Sequence, residues 1–377
     1  MKYRLLATCS FGLEAIVKQE AINLGFDDIE VFDARVYFSC GEDGITKANL
    51  WFRCADRVYI VLDEFKAVTF EELFQGVKKQ NWSDYIGKDD AFPITGDSVR
   101  SKLFSVSDVQ KISKKAVVEK LKEKYKISFF EETEGKIPLH IAILKDRVSV
   151  LINTSGAGLN RRGYRRLNAQ APLRETLAAG LLYIARYENQ PLYDPMCGSG
   201  TIIIEAALMQ KKIAPGMQRK FAFENFGFIN EGHHKDARQE AKDITVKGKL
   251  DIYGSDVDDE VLGLCKTHAK TAGVYDHIEI RKADIRQALK GDPKGILVTN
   301  PPYAVRMGEK KEVEKLYRKM GDIINPLEGL KAFIISAEMG FERYFGKHAD
   351  KKRKLYNGSI KCNYYQYFRG KKSWFSS

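Results

Sequence analysis

Apolar and polar positions change period repeatedly over the first 154 residues, which predicts small α/β modules rather than long helices. Tyr3–Cys9 reads as a strand. Leu13, Ile16, Val17, Glu20, Ala21 and Leu24 follow helical spacing, and Gly25 supplies a stop. Ile29–Phe32 and Val36–Ser39 are short β-rich runs flanking Asp33-Ala34, a predicted hairpin. Ile45–Phe52 is predicted helical and Arg57–Phe65 extended. Beyond it, Phe70–Lys78 and Val109–Lys124 carry helical patterns, and Phe92–Ser105 reads as extended. His140–Leu144 and Val148–Ile152 alternate as a β pair around Lys145-Asp146-Arg147. The stretch from Asn153 to Asn168 is rich in Gly, Asn and Arg, which predicts a linker.

From Pro172 the rhythm lengthens. Pro172 suits the first turn of a helix running to about Tyr187. A strand follows at Leu192–Asp194, then a glycine loop and a helix from Thr201 to Lys211. Residues 212–248 form an irregular, aromatic and basic insertion. Strands at Asp251–Gly254, Ile278–Arg281, Gly295–Thr299 and Lys331–Ser336 alternate with helices at Asp259–Ala272 and Glu309–Ile324. Strands alternating with helices predict a doubly wound, mainly parallel sheet. The strand–helix–strand–strand–helix–strand order of the first 65 residues resembles a ferredoxin-like module. The expected organisation is a ferredoxin-like module at 1–65, a second α/β module at 66–155, a basic linker at 156–171 and the doubly wound domain at 172–377.

Length agrees with this division: 377 residues exceed one domain at roughly 100–200 residues each. No apolar run is long enough for a transmembrane helix, and the start lacks the composition of a signal peptide, so a cytoplasmic protein is expected. The six cysteines, including Cys197 and Cys265, make no C-x-x-C pair, which predicts neither a zinc site nor a disulfide framework. His233-His234 has no carboxylate partner at metal spacing and is expected in a solvated loop. The net charge of +12 is concentrated. Residues Asn160–Glu175 carry five arginines and one glutamate, and Glu342–Ser377 carries ten basic and two acidic residues. Focused positive charge suits a polyanion such as nucleic acid.

Four constellations carry candidate chemistry, each at the end of a predicted strand. Asp194-Pro195-Met196-Cys197-Gly198-Ser199-Gly200-Thr201 joins a strand to a helix; its glycines let backbone approach a ligand closely, and the helix offers free N–H groups. It lacks the third glycine of the dinucleotide fingerprint and the G-K-[ST] of a Walker A loop. Asp256, in Gly254-Ser255-Asp256-Val257-Asp258, can accept two hydrogen bonds from a ribose diol. Asp284 can accept from an adenine amino group. Either aspartate also suits a helix N-cap. In Thr299-Asn300-Pro301-Pro302-Tyr303 the prolines make a rigid turn that aims the Asn300 side-chain oxygen and the Pro301 carbonyl into one pocket. Two acceptors suit an exocyclic NH₂ group, and Tyr303 offers a stacking face.

The set resembles the THUMP-domain class I S-adenosylmethionine (SAM) methyltransferases that modify the N2 of guanine in RNA. It is most similar to the N-terminal methyltransferase half of the RlmL-type 23S ribosomal RNA methyltransferases. D-P-M-C-G-S-G-T and N-P-P-Y carry the resemblance, together with N-T-S-G-A-G-L-N-R-R-G-Y-R at 153–165, A-P-L-R-E-T-L-A at 171–178 and K-L-Y-N-G at 354–358. It covers nearly the whole chain. It implies a ferredoxin-like domain, a THUMP RNA-binding domain at 66–155 and a Rossmann-like catalytic domain. It places SAM along Asp194, Pro195, Gly198, Gly200, Thr201, Asp256 and Asp284, and catalysis at Asn300, Pro301 and Tyr303, with no metal. Ala304-Val305 departs from the Gly-Glu expected after N-P-P-Y and bears on the pocket rim. The chain ends before any second methyltransferase domain, so one activity is implied.

The expected reaction is SAM-dependent methyl transfer to a guanine N2 amine in structured RNA, 23S ribosomal RNA first. A transfer-RNA guanine-N2 methyltransferase would share every motif. A glutamine-N5 protein methyltransferase shares N-P-P-Y but not the THUMP-like half or the charge. A non-catalytic RNA-binding protein would have no need of the intact glycine loop.

Overall fold

The computed structural model describes residues 2–127, 129–165, 173–303 and 310–368. The chain folds as two compact units. One comprises residues 1–9, 17–159 and 219–240; the other comprises 10–16, 160–218 and 241–377.

The first unit is built on one seven-stranded sheet. Its strands are β1 (Tyr3–Cys9), β2 (Asp27–Phe32), β3 (Arg35–Cys40), β4 (Ala55–Lys66), β5 (Ile94–Val99), β6 (Leu139–Leu144) and β7 (Arg147–Asn153). Their spatial order is β2-β3-β1-β4-β7-β6-β5. All pairs are antiparallel except β5 with β6. The sheet is continuous because β4 pairs with β7, so the two predicted modules share one ladder. Leu5, Ala7, Val36, Phe38, Val58 and Ile60 are fully buried or nearly so. Phe38 stacks on Phe26 at 4.7 Å. The helices of this part are α1 (Glu14–Asn23), α2 (Glu42–Trp51), α3 (Phe70–Lys78) and α4 (Val106–Tyr125). Thr69 starts α3 with a capping box closed by Glu72. The extended segment predicted at 92–105 shortens to β5.

Asn153–Leu159 is no loose linker. Asn49 donates to Thr154 Oγ1 (2.9 Å) and accepts from Ser155 Oγ (2.6 Å), while Thr154 Oγ1 donates to Val58 O (2.7 Å). All three side chains are buried. Buried polar groups require such partners, so this network locks the loop to β4.

The insertion also departs from expectation. It contains a helix, α7 (Glu231–Asp243), after α5 (Glu175–Ile184) and α6 (Thr201–Gln210) in chain order. Residues 219–240 pack into the first unit. The Arg219 guanidinium donates to the carbonyls of Ser155 (3.0 Å) and Ala157 (2.7 Å), and Phe223 N donates to Thr154 O (3.0 Å). His233 and His234 lie on α7, not in a solvated loop. His234 is half-buried near Glu224 (3.7 Å) and accepts from Arg238 Nε (3.2 Å).

The second unit contains the doubly wound sheet: β8 (Leu192–Asp194), β9 (Ile252–Asp256), β10 (Glu279–Lys282), β11 (Gly295–Thr299), β12 (Leu330–Ser336), β13 (Lys351–Asn357) and β14 (Ile360–Tyr367). The order is β10-β9-β8-β11-β12-β14-β13. The first five strands of that order run parallel, and β14 and β13 close the sheet antiparallel. The remaining helices are α8 (Asp259–Thr271), α9 (Ile285–Ala288), α10 (Lys310–Ile324) and α11 (Phe341–Phe345). Tyr317, Met320, Phe341, Phe345 and Tyr365 belong to one buried cluster under α10 and α11. Strand order reverses at β8, whose neighbours are β9 and β11. Open α/β sheets bind ligands at the carboxyl ends of strands beside such a switch point.

Candidate active site at the switch point of the parallel sheet

The loop after β8 is shaped by two left-handed glycines, Gly198 (φ +51°) and Gly200 (φ +86°). A Cβ at Gly200 would lie 2.5 Å from Cys265 Sγ, so packing against α8 demands glycine. A Cβ at Gly198 would meet no atom within 4 Å, so that glycine borders open space. Gly200 N donates to Cys197 O (2.8 Å), and Cys197 N donates to Ser255 O (2.9 Å), fixing the loop over β9. Pro195 is buried in the turn and has no N–H to satisfy. Thr201 opens α6, and its hydroxyl accepts from the Arg165 guanidinium.

Asp256 ends β9. Its carboxylate accepts from Gly198 N (2.9 Å) and Asp258 N (3.2 Å), which holds it at the mouth of the glycine loop. The cap of α8 is Asp258, which accepts from Glu260 N (2.8 Å). Asp284 does cap a helix: it accepts from Gln287 N (2.9 Å) at the start of α9 and from Lys319 Nζ (2.9 Å). These two donors hold its carboxyl below the usual carboxylate range.

Asp194 is buried at the end of β8. Its Oδ1 accepts from Thr299 Oγ1 (2.7 Å) and from Met196 N (3.3 Å). Burial pushes its pKa up to about 7 in spite of these two hydrogen bonds. Thr299 ends β11 and precedes the proline turn. Asn300 is half-buried, Pro301 buried and Tyr303 half-buried. The turn is braced from two sides. Tyr317 OH donates to Pro302 O (3.0 Å) and meets Ser336 Oγ (3.0 Å) at the end of β12. Asn357 Nδ2 at the end of β13 donates to Tyr303 OH (3.4 Å). The structure therefore brings the glycine loop, Asp256 and Asn300–Tyr303 to one edge of the sheet. Ala304 and Val305 lie outside the described residues.

Sequence reasoning gave Thr299 no role of its own and missed Tyr317 and Asn357 as parts of this site. Asn357 stands in the K-L-Y-N-G run, a signal that carried no role by itself. It also misplaced Arg162 and Arg165. Arg162 and Glu205 are both buried, 3.4 Å apart, and Tyr164 OH donates to Glu205 (3.1 Å). Arg165 pairs with Glu175 at 3.2 Å. These two arginines are structural and do not face a polyanion; residues 166–171 of the expected linker lie outside the described residues. Among the described residues no cluster of three or more His, Cys, Asp or Glu side chains could hold a metal ion. No helix of the described residues is long and apolar enough to cross a membrane.

Known proteins add three family matches: an RMKL-like methyltransferase domain over residues 162–366, an RlmL ferredoxin-like domain over 4–59 and a THUMP domain over 67–153. A Bacillus subtilis protein named provisionally as an RNA methyltransferase, YpsC, is 41% identical over 97% of this chain and 96% of its own length. The ribosomal RNA large subunit methyltransferase K/L of Shewanella amazonensis is 31% identical over 97% of this chain, which spans only 53% of that relative. Among solved structures, SMU.472, provisionally a methyltransferase and complexed with S-adenosylhomocysteine, superposes with TM-score 0.92 at 39% identity, covering 97% of this chain and 98% of that one. A Listeria monocytogenes protein described by prediction as an N6-adenine-specific DNA methylase superposes with TM-score 0.91 at 42% identity, covering 97% and 96%.

Proposed function

Because the chain belongs to the RMKL-like methyltransferase family and carries the RlmL ferredoxin-like and THUMP domains beside it, we propose that it methylates the exocyclic N2 amine of a guanine in structured RNA. SAM is the methyl donor, and 23S ribosomal RNA is the first candidate substrate. The observation that carries the reading is the Thr299–Asp194 hydrogen bond, which sets the N-P-P-Y turn beside the glycine loop.

The loop fits SAM. Gly198 borders open space, and Asp256 presents a carboxylate at the loop mouth where a ribose diol can donate to it. Gly198, Gly200 and Thr201 would surround the methionine end, next to the N-terminus of α6. Asp194 and Pro195 shape the turn beneath it, and Asp284, the cap of α9, would stand at the adenine end. When bound, SAM supplies a methyl group whose bond to the sulfonium sulfur breaks as the bond to nitrogen forms, so that a neutral thioether leaves and one amine proton passes to solvent.

The chain's own contribution is positioning. A guanine amine is a poor nucleophile because its lone pair is delocalised into the ring. Acceptors at Asn300 Oδ1 and Pro301 O would hold its two N–H groups and turn the lone pair toward the methyl. Tyr303, steadied by Asn357, would stack on the base and offset part of the cost of unstacking it. The braces from Tyr317 and Ser336 keep the turn rigid during this exchange.

An adenine N6 amine presents the same pair of N–H donors, and the Listeria relative carries that description, so it is the second reading. Transfer of a radiolabelled methyl group to ribosomal RNA, transfer RNA and DNA, followed by nucleoside analysis, separates the readings. N2-methylguanosine in ribosomal RNA is expected. N6-methyladenosine, or label in DNA alone, would replace the proposal with the second reading.

A further inference from the structure

Two arginines of the first basic segment and the lysines of the second end in opposite places. Arg162 and Arg165 of the first are turned inward against Glu205 and Glu175. The second segment builds the β13–β14 hairpin, where Lys351, Lys352, Lys354 and Lys361 are all exposed. Lys352 pairs with Glu342 at 2.8 Å. Lys351, Lys354 and Lys361 form no ion pair among the described residues.

Register places two of these cations together. Tyr356 lies directly opposite Lys361, and Lys354 is two residues before Tyr356, so all three side chains share one face. Lys354 Nζ sits 5.5 Å from the centre of the Tyr356 ring. The exposed Phe11 ring lies 6.1 Å from Tyr356. β13 runs in the same direction as β12, because both are antiparallel to β14. Its last residue, Asn357, therefore reaches the carboxyl end of the sheet, where it donates to Tyr303.

Lysines on an edge strand commonly keep it from pairing with another chain. That accounts for β13. It does not account for the two rings beside the cations, nor for a strand that ends on the proline turn. Cations interleaved with aromatic faces are the pattern of a nucleic-acid track.

We propose that the β13–β14 hairpin guides the RNA backbone into the active site, with Lys354 and Lys361 on phosphates and Phe11 facing a neighbouring base. The proposal rests on the RNA methyltransferase reading above.

The test compares full-length wild type with Lys354→Glu/Lys361→Glu. Lys331→Glu serves as a control: it is exposed near the start of β12, at the opposite end of the sheet. RNA affinity and methyl transfer are measured on transcribed 23S ribosomal RNA over a range of salt, with SAM affinity by calorimetry. In the double variant, KM for RNA should rise about tenfold or more while kcat and SAM affinity hold. Two lost phosphate contacts should also flatten the log–log salt slope by roughly 1.4–1.8. Lys354→Arg/Lys361→Arg should behave as wild type. Unchanged RNA affinity and slope would overturn the proposal, and so would self-association of the double variant with RNA affinity intact. An equal loss in the Lys331→Glu control would also overturn it. If wild type binds RNA but transfers no methyl, the enzymatic reading falls and the binding data still decide the hairpin.

Discussion

Thr299 donates a 2.7 Å hydrogen bond to Asp194, and this bond ties the strand that leads to Asn300 to the strand that leads to the glycine loop. Residues 105 positions apart in the chain thus set the distance between the two candidate ligand sites. The acceptor is a buried carboxyl, which makes the link sensitive to pH.

The sign follows from the raised pKa. The folded state holds the Asp194 proton up to about pH 7, whereas an unfolded chain releases it near the ordinary value of 3.8. Between those values the folded state binds more protons, so this group's contribution to stability falls as pH rises and is lost above about 7. Thermal unfolding across that window should show the decline. Asp194→Asn should flatten it relative to wild type; an identical pH profile in the variant would exclude Asp194 as its source.

Asn300→Ala should lose methyl transfer by roughly a hundredfold or more while SAM affinity changes little, as expected for a group that acts on the acceptor amine. Calorimetry with SAM and single-turnover transfer to RNA check the two halves of the statement. Transfer at the wild-type rate would remove Asn300 from the mechanism.

Asp256→Ala should weaken SAM binding by roughly ten- to a hundredfold, since charge-assisted hydrogen bonds contribute about 1.5–3 kcal/mol. The same change frees the Gly198 amide, so the loop should also lose order. Unaltered affinity in a folded variant would leave Asp256 as a brace for the loop alone.

Arg162→Met should destabilise the protein by about 3–5 kcal/mol, because it leaves Glu205 buried without its countercharge. Denaturant unfolding measures this. A variant of wild-type stability but weakened RNA binding would return Arg162 to the polyanion surface from which the structure removes it.

A fragment starting at residue 160 should associate nonspecifically. It would keep Phe221, Phe223 and Phe226, which are buried within the first unit, and lose the rest of that unit. Size-exclusion chromatography of residues 160–377 with and without 219–240 tests this; a monomeric fragment that retains 219–240 would contradict it.

Much of the fold was legible because it is local. The doubly wound strands follow from apolar period and length, and the chemistry of D-P-M-C-G-S-G-T and N-P-P-Y follows from what glycine and proline do to a backbone. The β13–β14 hairpin was not legible. Lysines and polar residues interrupt its buried Leu355, Cys362, Tyr364 and Tyr365, and the hairpin joins the sheet only through the pairing of β14 with β12.

The amino-acid sequence by itself determined the element types outside the insertion and the β13–β14 hairpin, the glycine loop and proline turn, and the presence of two concentrations of positive charge. Tertiary structure decided which charges face water. Arg162 meets Glu205 across 43 positions, while Lys354 and Lys361 meet no acid among the described residues. It decided which aspartate caps and which waits at the loop: Asp284 and Asp258 cap helices, and Asp256 holds the Gly198 amide. It decided that Asn357 steadies Tyr303 across 54 positions. The physical reason is the same throughout. A backbone conformation is selected by its own residue and its neighbours, whereas the partner of a charge, a hydroxyl or a strand edge is selected by whatever the folded chain carries to within about 3 Å of it.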